Sequence, residues 1–177
     1  MHVPQHAPNA NMLAAGSMSA ADIQTFLNGQ PGLLKSATFR PPDHNGVRKS
    51  AAQMIYDAAH AWGLSPKVIL VTVQKEQALL STPDPSQHDW DWAMGAGYTD
   101  SQIFTKDQGF GKQIWIGTNN IAKLAAEWKP GMSKPIEGTN IVPADHATWG
   151  LYRYTPHFAG NMSFWMIWWR HFGNPLQ

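Results

Sequence analysis

The pattern of apolar and polar residues along the chain predicts a mainly helical protein. Apolar residues recur three and four positions apart in several segments, and almost no stretch alternates with the two-residue period of a strand. The predicted helices cover about residues 19–29, 47–62, 65–80, 112–128, 143–149 and 161–172. Only residues 129–146 have so little periodicity that a small hairpin is allowed there. The fold class is therefore all-α or mainly α, with loop-rich insertions between the helices.

The best defined of these helices runs from Ser65 to Leu80. Ser65 is a favourable N-cap, Pro66 suits the first helical position, and an unbroken apolar run follows. Further helix ends are marked by Ser19, with Asp22 in the position of a capping box, and by Gly63, which follows Trp62. These signals depend only on neighbouring residues, so they predict where the helices begin and end.

One glutamate falls on the apolar face of the 65–80 helix. At helical spacing Glu76 lies on the same face as Ile69, Val73 and Leu80. A carboxyl group buried among such side chains is desolvated, which raises its pKa and makes it a candidate proton donor. The alternative is that the helix rolls, so that Glu76 reaches water or pairs with Lys75 or a distant arginine.

Composition limits the classes of function. The 177 residues suit one domain, and 13 Lys and Arg against 12 Asp and Glu provide no field that would favour nucleic acid or a membrane surface. The chain has no cysteine, and its eight histidines show no paired helical spacing. We therefore expect no metal site, no cofactor and no nucleic-acid partner. A monomer is also expected, although composition does not determine the oligomeric state.

The two ends of the chain differ in character. Residues 1–18 lack periodicity and are predicted to be a flexible tail before a domain over residues 19–177, and they do not resemble a signal peptide. The last helix is rich in aromatic residues, with Phe164, Trp165, Trp168 and Phe172 predicted to face inward. A core helix is favoured over an interfacial membrane helix because the basic face is sparse. No apolar run is long enough for a membrane span.

Four segments together resemble a family of bacterial cell-wall proteins. The segments are VILVTVQKEQALL, AMGAGYTD, GFGKQIW and LYRYTPHFAGNMSFWMIWWRHFG, and the resemblance covers about residues 19–173. They are similar to lysozyme-like domains related to lytic transglycosylases and goose-type lysozymes. The resemblance implies a lysozyme-like helical domain that is secreted, associated with the cell wall or delivered by phage. Its substrate would be peptidoglycan or a related amino-sugar polysaccharide.

The resemblance also implies roles for individual residues. Glu76 matches the catalytic glutamate of lytic transglycosylases, although Gln77 stands where the family usually has serine. The segment from Gly109 to Gln113 loosely matches a motif that lines the substrate groove. The implied substrate-binding residues are Gln77, Tyr98, Gln113, Tyr152 and Tyr154.

Cleavage of a glycosidic bond needs a proton donor and a way to support positive charge on the sugar. A hydrolase with two carboxylates would take its second one from the loop-rich stretch after the 65–80 helix, where the candidates are Asp89, Asp91, Asp100 and Asp107. A lytic transglycosylase needs only one glutamate, because the substrate's own acetamido group or hydroxyl attacks. No acidic pair is recognisable by spacing, which slightly favours the mechanism with one glutamate.

Other functions remain open on the sequence. A lysozyme-like fold could serve a non-catalytic glycan-binding module, with Trp90, Trp92 and Trp115 as stacking platforms. A chitinase or glucosaminidase would use the same glutamate on a different polymer. Loss of turnover on removal of the Glu76 carboxyl would distinguish an enzyme from a binding module.

Overall fold

The computed structural model describes residues 9–41 and 46–176. Within these ranges the chain is mainly helical, which confirms the predicted class. The helices are α1 (Asn9–Met12), α2 (Ala20–Asn28), α3 (Ala51–Trp62), α4 (Pro66–Gln77), α5 (Gln87–Asp91), α6 (Phe110–Ala126), α7 (His146–Tyr154) and α8 (Phe158–Phe172). Two antiparallel strand pairs join β1 (Thr38–Phe39) to β2 (Lys49–Ser50), and β3 (Lys134–Ile136) to β4 (Thr139–Ile141). The second pair is the hairpin allowed for residues 129–146.

The predicted helix starts are confirmed in α2 and α4. Ser19 Oγ accepts a hydrogen bond from the Asp22 amide at 3.1 Å, and Asp22 Oδ2 accepts one from the Ser19 amide at 2.8 Å. Ser65 Oγ accepts from the Lys67 amide at 3.2 Å, directly before Pro66. Local signals therefore determine these ends, because each cap satisfies an N–H group that has no partner within the helix.

Several helix boundaries differ from the predicted ones. Helix α3 begins at Ala51 rather than Val47, because Lys49 and Ser50 pair with β1 and Ser50 then caps the helix. Helix α4 ends at Gln77 rather than Leu80, because Ala78 takes a left-handed conformation with φ of 53°. Helix α5 was not predicted, although its Ser86 and Asp89 form a capping box that the sequence contains.

The prediction of a flexible tail over residues 1–18 is wrong for residues 9–18. Met12 is buried, and its carbonyl accepts a hydrogen bond from the Ser65 amide at 2.9 Å. Asn9 Oδ1 accepts one from the Ala147 amide at 3.0 Å, at the start of α7. These contacts satisfy backbone N–H groups at the starts of two helices. The lack of apolar periodicity in residues 9–18 gave no indication of them. Residues 1–8 of the predicted tail lie outside the described residues.

Helix α4 runs through the main hydrophobic core. All five residues Val68, Ile69, Leu70, Val71 and Val73 have no exposed surface, so this helix is covered on every side over its first two turns. The same core includes side chains from α2, α3, α6, α7 and α8. Burial of this kind dominates the stability of a domain, because each large aliphatic side chain contributes roughly 1.5–3 kcal/mol. The core therefore holds the last turn of α4 in a fixed position.

The last two helices, α7 and α8, pack directly against other helices of this core. Helix α8 packs on α4, with Phe164, Trp165 and Trp168 buried as predicted. Helix α7 packs closely on α6 at Gly150, where an added Cβ would lie 2.9 Å from Ala125 Cβ. None of the helices in the described part of the chain is long and apolar enough to cross a membrane.

Candidate active site at the end of helix α4

Glu76 lies in the last turn of α4, where the covered part of the helix gives way to partly exposed residues. Its side chain is 27% exposed, and Oε1 is ion-paired with Nζ of Lys75. The structure therefore agrees with the alternative interpretation of the apolar face, in which Glu76 pairs with Lys75, and not with an isolated buried carboxyl. Ile69 and Val73 are buried as the spacing predicted, whereas Leu80 is buried although it lies beyond the end of the helix.

The loop after α5 approaches the Glu76 carboxyl at Gly95. Gly95 has φ of 69°, and a Cβ added to it would lie 3.1 Å from Glu76 Oε2. Both the positive φ and the close approach favour glycine over any residue with a side chain. Gly95 belongs to the AMGAGYTD segment, so this segment of the resemblance reaches the Glu76 carboxyl.

Gln113 holds this loop in place from helix α6. Its Oε1 accepts hydrogen bonds from the amides of Met94 at 3.2 Å and Ala96 at 3.1 Å. Its Nε2 donates to the carbonyls of Ala96 and Asp107, both at 2.8 Å. A glutamine amide has four such bonds to make, and all four are made within the protein. Gln113 is fully buried, so it supports the site and is not available to bind a substrate, contrary to the prediction.

Tyr154 and Thr155 approach the site from the end of α7. The Tyr154 hydroxyl donates to the Met94 carbonyl at 2.7 Å, one residue before Gly95. Burial, and after it the negative charge of Glu76, raise the pKa of Tyr154 well above its usual value. The hydroxyl therefore stays protonated and remains a hydrogen-bond donor. Lys75 Nζ donates to Thr155 Oγ1 at 2.9 Å, so the chain after α7 also contacts the ion pair.

Gln77 and Tyr98 lie on the same side of the molecule as Trp92. Gln77 Nε2 donates to the Trp92 carbonyl at 3.3 Å, and the Tyr98 and Trp92 rings are 5.1 Å apart. Tyr98 is 47% exposed, and it also contacts the ring of His88. A solvent-facing aromatic ring suits a sugar ring, so Tyr98 keeps its predicted role as a candidate. Trp92 is buried and cannot be a stacking platform.

Tyr152 does not reach this site. It is buried with Ile136, Ile141 and Phe158 in a second, smaller hydrophobic cluster beside the β3–β4 hairpin. Burial raises the pKa of Tyr152 to about 12. Its hydroxyl has no hydrogen-bond partner among the described residues. The helical period separates Tyr152 from Tyr154 by about 200°, so the prediction of substrate contact is wrong for Tyr152.

The four aspartates proposed as a second carboxylate have different surroundings. Asp89 Oδ2 accepts from the Ser86 amide at 2.7 Å as part of the α5 capping box. Asp91 Oδ1 accepts from Gln87 Nε2 at 2.9 Å, and Asp100 lies on an exposed loop. Asp107 is the last residue of a short 3₁₀ helix and faces Gly97. The charged group in contact with Glu76 is Lys75, and none of these contacts brings an aspartate to Glu76.

A cavity of about 500 Å³ lies between α3 and the start of α6. Its size is typical of small-ligand sites. Trp115, which the sequence offered as a stacking platform, is part of its wall, whereas Glu76 and the predicted substrate-binding residues are not. The lining residues are Pro41, Lys49, Met54, Tyr56, Asp57, His60, Gly111, Ile114 and Trp115. Within the described residues, no three His, Cys, Asp or Glu side chains are grouped as a metal ion requires.

The fold and the site together define a mainly helical domain with a paired lysine and glutamate at the end of a buried helix. A family model described as LasA, N-terminal domain, matches residues 6–148. Because the match covers most of the chain, the protein belongs to the family of LasA N-terminal domains. Neither the curated proteins nor the solved structures contain a match to it. Tyr154, Thr155 and α8 lie beyond the residues matched by the family model.

Three residues of the site were not predicted to act there. Lys75 was considered only as a possible partner of Glu76, and Gly95 and Thr155 belong to segments that carry the resemblance. Thr155 is 80 positions from Lys75 in the chain, so no spacing rule connects them. The one available signal was the resemblance, since VILVTVQKEQALL contains Lys75 and Glu76 and the segment that begins with LYRYTPH contains Thr155.

Proposed function

We propose that this protein cleaves β-1,4 glycosidic bonds of peptidoglycan with Glu76 as general acid and base, on a lysozyme-like helical domain. The observation that carries the proposal is the position of Glu76. It is a partly exposed carboxyl at the end of a buried helix, beside the backbone of Gly95, and its partner Lys75 is bonded to Thr155 after α7. The protein would therefore be a lytic transglycosylase or a muramidase acting outside the cytoplasm.

The other two glutamates are less suitable. Glu127 is 46% exposed and paired with Arg153, and Glu137 is 47% exposed and paired with His157. Each of these two carboxyl groups is more exposed than Glu76 and is paired with a partly or largely exposed side chain. Glu76 is the one whose surroundings are formed by three separate segments of the chain, as a site that must position a reacting group requires.

The proposed chemistry needs one carboxyl group. Glu76 takes the proton of the attacking hydroxyl, which belongs to water in hydrolysis and to the substrate in transglycosylation, and delivers a proton to the leaving glycosidic oxygen. One C–O bond at the anomeric carbon breaks, another forms, and the proton passes from the attacking oxygen to the leaving oxygen. Glu76 ends in its starting state, so a second carboxylate is not required. Tyr98 would stack on a sugar ring near this carboxyl.

The test is mass spectrometry of the soluble products released from purified peptidoglycan. Wild type and Glu76→Gln are compared, with Glu127→Gln as a matched control that changes the same functional group at the surface. We expect products from wild type and Glu127→Gln but none from Glu76→Gln. Anhydro-muropeptides would identify a transglycosylase, and reducing ends would identify a hydrolase.

Absence of products from folded wild-type protein would contradict cleavage of peptidoglycan. The same three proteins would then be tested on chitin oligosaccharides, which distinguishes a wrong polymer from a wrong reaction. Turnover of chitin lost in Glu76→Gln would retain the glycosidase and replace only the substrate.

A second candidate is a non-catalytic glycan-binding module, which two observations favour. The ammonium of Lys75 on the Glu76 carboxyl is an arrangement typical of structural ion pairs, and the 500 Å³ cavity presents Trp115 and Tyr56 to a ligand. Such a module would bind peptidoglycan fragments without turnover. Its binding would be lost in Trp115→Ala and kept in Glu76→Gln, the opposite of what the enzyme predicts.

A further inference from the structure

Lys75 is unusual because it is a nearly buried lysine. Its side chain is 9% exposed, and lysine is almost never buried to that extent unless its charge is paired. The Lys75 ammonium contacts Glu76 Oε1 and donates to Thr155 Oγ1 at 2.9 Å. The cost of removing this charge from water is thus offset by one opposite charge and one hydrogen bond.

Lys75 and Glu76 are neighbours in sequence, and neighbours on a helix do not face each other. Their side chains leave the helix about 100° apart, so an ion pair forms only if both bend to the same side. A lysine in water would instead keep its ammonium hydrated and its side chain free to rotate. In this structure Thr155, in the connection between α7 and α8, binds the Lys75 ammonium and holds it on the side of Glu76.

Thr155 is itself held in one orientation. Its amide donates to the Leu151 carbonyl at 2.8 Å, and its carbonyl accepts from Asn161 Nδ2 at 2.7 Å. Its methyl group packs against Gly160 on α8, where an added Cβ would lie 2.5 Å from Thr155 Cγ2. With the methyl group placed there, the hydroxyl is directed to Lys75.

We propose that Lys75 is a positioning residue for Glu76 and that Thr155 holds it in that role. Lys75 fixes Oε1, while Oε2 lies beside Gly95. The catalytic part of this inference rests on the proposed glycosidase function. The cluster of Lys75, Glu76 and Thr155 is a separate claim that is testable without substrate.

The first experiment measures the cluster by labelling amines with formaldehyde and cyanoborohydride, with each lysine followed by mass spectrometry. We expect Lys75 in the wild type to react at least about ten-fold more slowly than Lys123, which is exposed on α6. Thr155→Val removes the hydroxyl while keeping a similar shape, and it should remove most of the protection. Thr155→Ser keeps the hydroxyl and should preserve it. Equal labelling of Lys75 and Lys123 in the wild type would overturn the cluster.

A second pair of variants tests the orientation of Thr155. Gly160→Ala places a methyl group against Thr155 Cγ2 and should expose Lys75 to the reagent. Combining it with Thr155→Ser removes the obstructing methyl and should restore protection. Circular dichroism of Gly160→Ala separates orientation from stability, because a variant that keeps its helical signal while Lys75 becomes reactive has lost the orientation of Thr155 and not its fold. A folded Gly160→Ala variant in which Lys75 stays protected would overturn the orienting role of the Thr155 methyl group.

The third experiment measures kcat and KM on peptidoglycan. We expect kcat to fall by about 100-fold in Lys75→Met and about 10-fold in Thr155→Val, with KM nearly unchanged, because a misplaced catalytic group affects the reaction more than binding. Lys75→Arg should recover part of kcat, and Thr155→Ser most of it. Normal kcat in folded Lys75→Met would overturn the positioning role. No product from the wild type would overturn the catalytic part together with the proposed function, while the labelling would still decide the cluster.

Discussion

Two glutamates of this protein form ion pairs in different surroundings. At the end of α4, Glu76 is 27% exposed and its partner Lys75 is 9% exposed, whereas at the surface Glu127 is 46% exposed and its partner Arg153 is 33% exposed. Both pairs are in direct contact: Lys75 Nζ contacts Glu76 Oε1, and Arg153 Nη1 lies 2.6 Å from Glu127 Oε2. Contact with a cation is therefore not enough to indicate a functional carboxyl. Burial and the segments that converge on the pair distinguish the two.

The largest expected effect is on activity. Glu76→Gln should lower kcat/KM on peptidoglycan by on the order of 10³-fold, because general acid and base catalysis contributes about 10² to 10⁴-fold. Glu127→Gln should leave it within about two-fold, since rim and surface charges contribute little. The measurement is the initial rate of product release. Equal rates for the two variants would remove the functional distinction between the pairs.

The next effect is on stability. Lys75→Met leaves the Glu76 carboxylate without its cation, and we expect a loss of about 1–2 kcal/mol in the free energy of unfolding, between the values for buried and exposed pairs. Arg153→Met should cost less than about 1 kcal/mol. Urea denaturation followed by circular dichroism measures both. A larger loss in Arg153→Met would show that burial does not govern the strength of these pairs.

A smaller effect is expected from crowding the Glu76 carboxyl. Gly95→Ala and Gly131→Ala both place alanine at a positive φ, which costs about 1–2 kcal/mol in either case. Only at Gly95 does the new Cβ meet another group, Glu76 Oε2, because nothing lies within 4 Å of a Cβ at Gly131. Gly95→Ala should therefore lower kcat by about ten-fold relative to Gly131→Ala. Similar kcat values would show that Gly95 does not position the carboxyl.

The smallest effect is the response to salt. Exposed pairs are screened by added ions and partly buried pairs much less. Raising NaCl from about 0.05 to about 0.5 M shortens the electrostatic screening length from about 14 to about 4 Å. Over this range the loss of stability caused by Arg153→Met should fall by a few tenths of a kcal/mol. The cost of Lys75→Met should change less. Equal salt dependence would indicate that Lys75 is as hydrated as Arg153.

Local chemistry in the sequence was a good guide to the helix ends. Ser19 with Asp22, and Ser65 with Pro66, act as predicted because each cap satisfies groups only two or three residues away. The same reasoning identifies the central helix and its buried face. It failed at the start of α3, where β2 replaces the predicted first turn, because strand pairing depends on a segment about ten residues earlier.

The candidate site was predictable only in part. Glu76 could be selected because it interrupts an apolar face, and Tyr154 and Tyr98 remain near or beside the site. Gln113 and Tyr152 have side chains that could bind a sugar. However, all four hydrogen bonds of the Gln113 amide are made within the protein, and Tyr152 is buried in the second hydrophobic cluster. A residue type indicates what a side chain can bind, whereas burial determines whether a ligand can reach it.

Periodicity and contacts within one turn were enough to predict the helical class, the two capped helix starts and the choice of Glu76. Three features emerged only from the folded chain: Lys75 turns toward Glu76, Gly95 lies beside the carboxyl, and residues 9–18 belong to the packed domain. These features depend on groups that are far apart along the chain. Thr155 meets Lys75 across 80 residues and Asn9 meets Ala147 across 138, and folding alone brings such groups together.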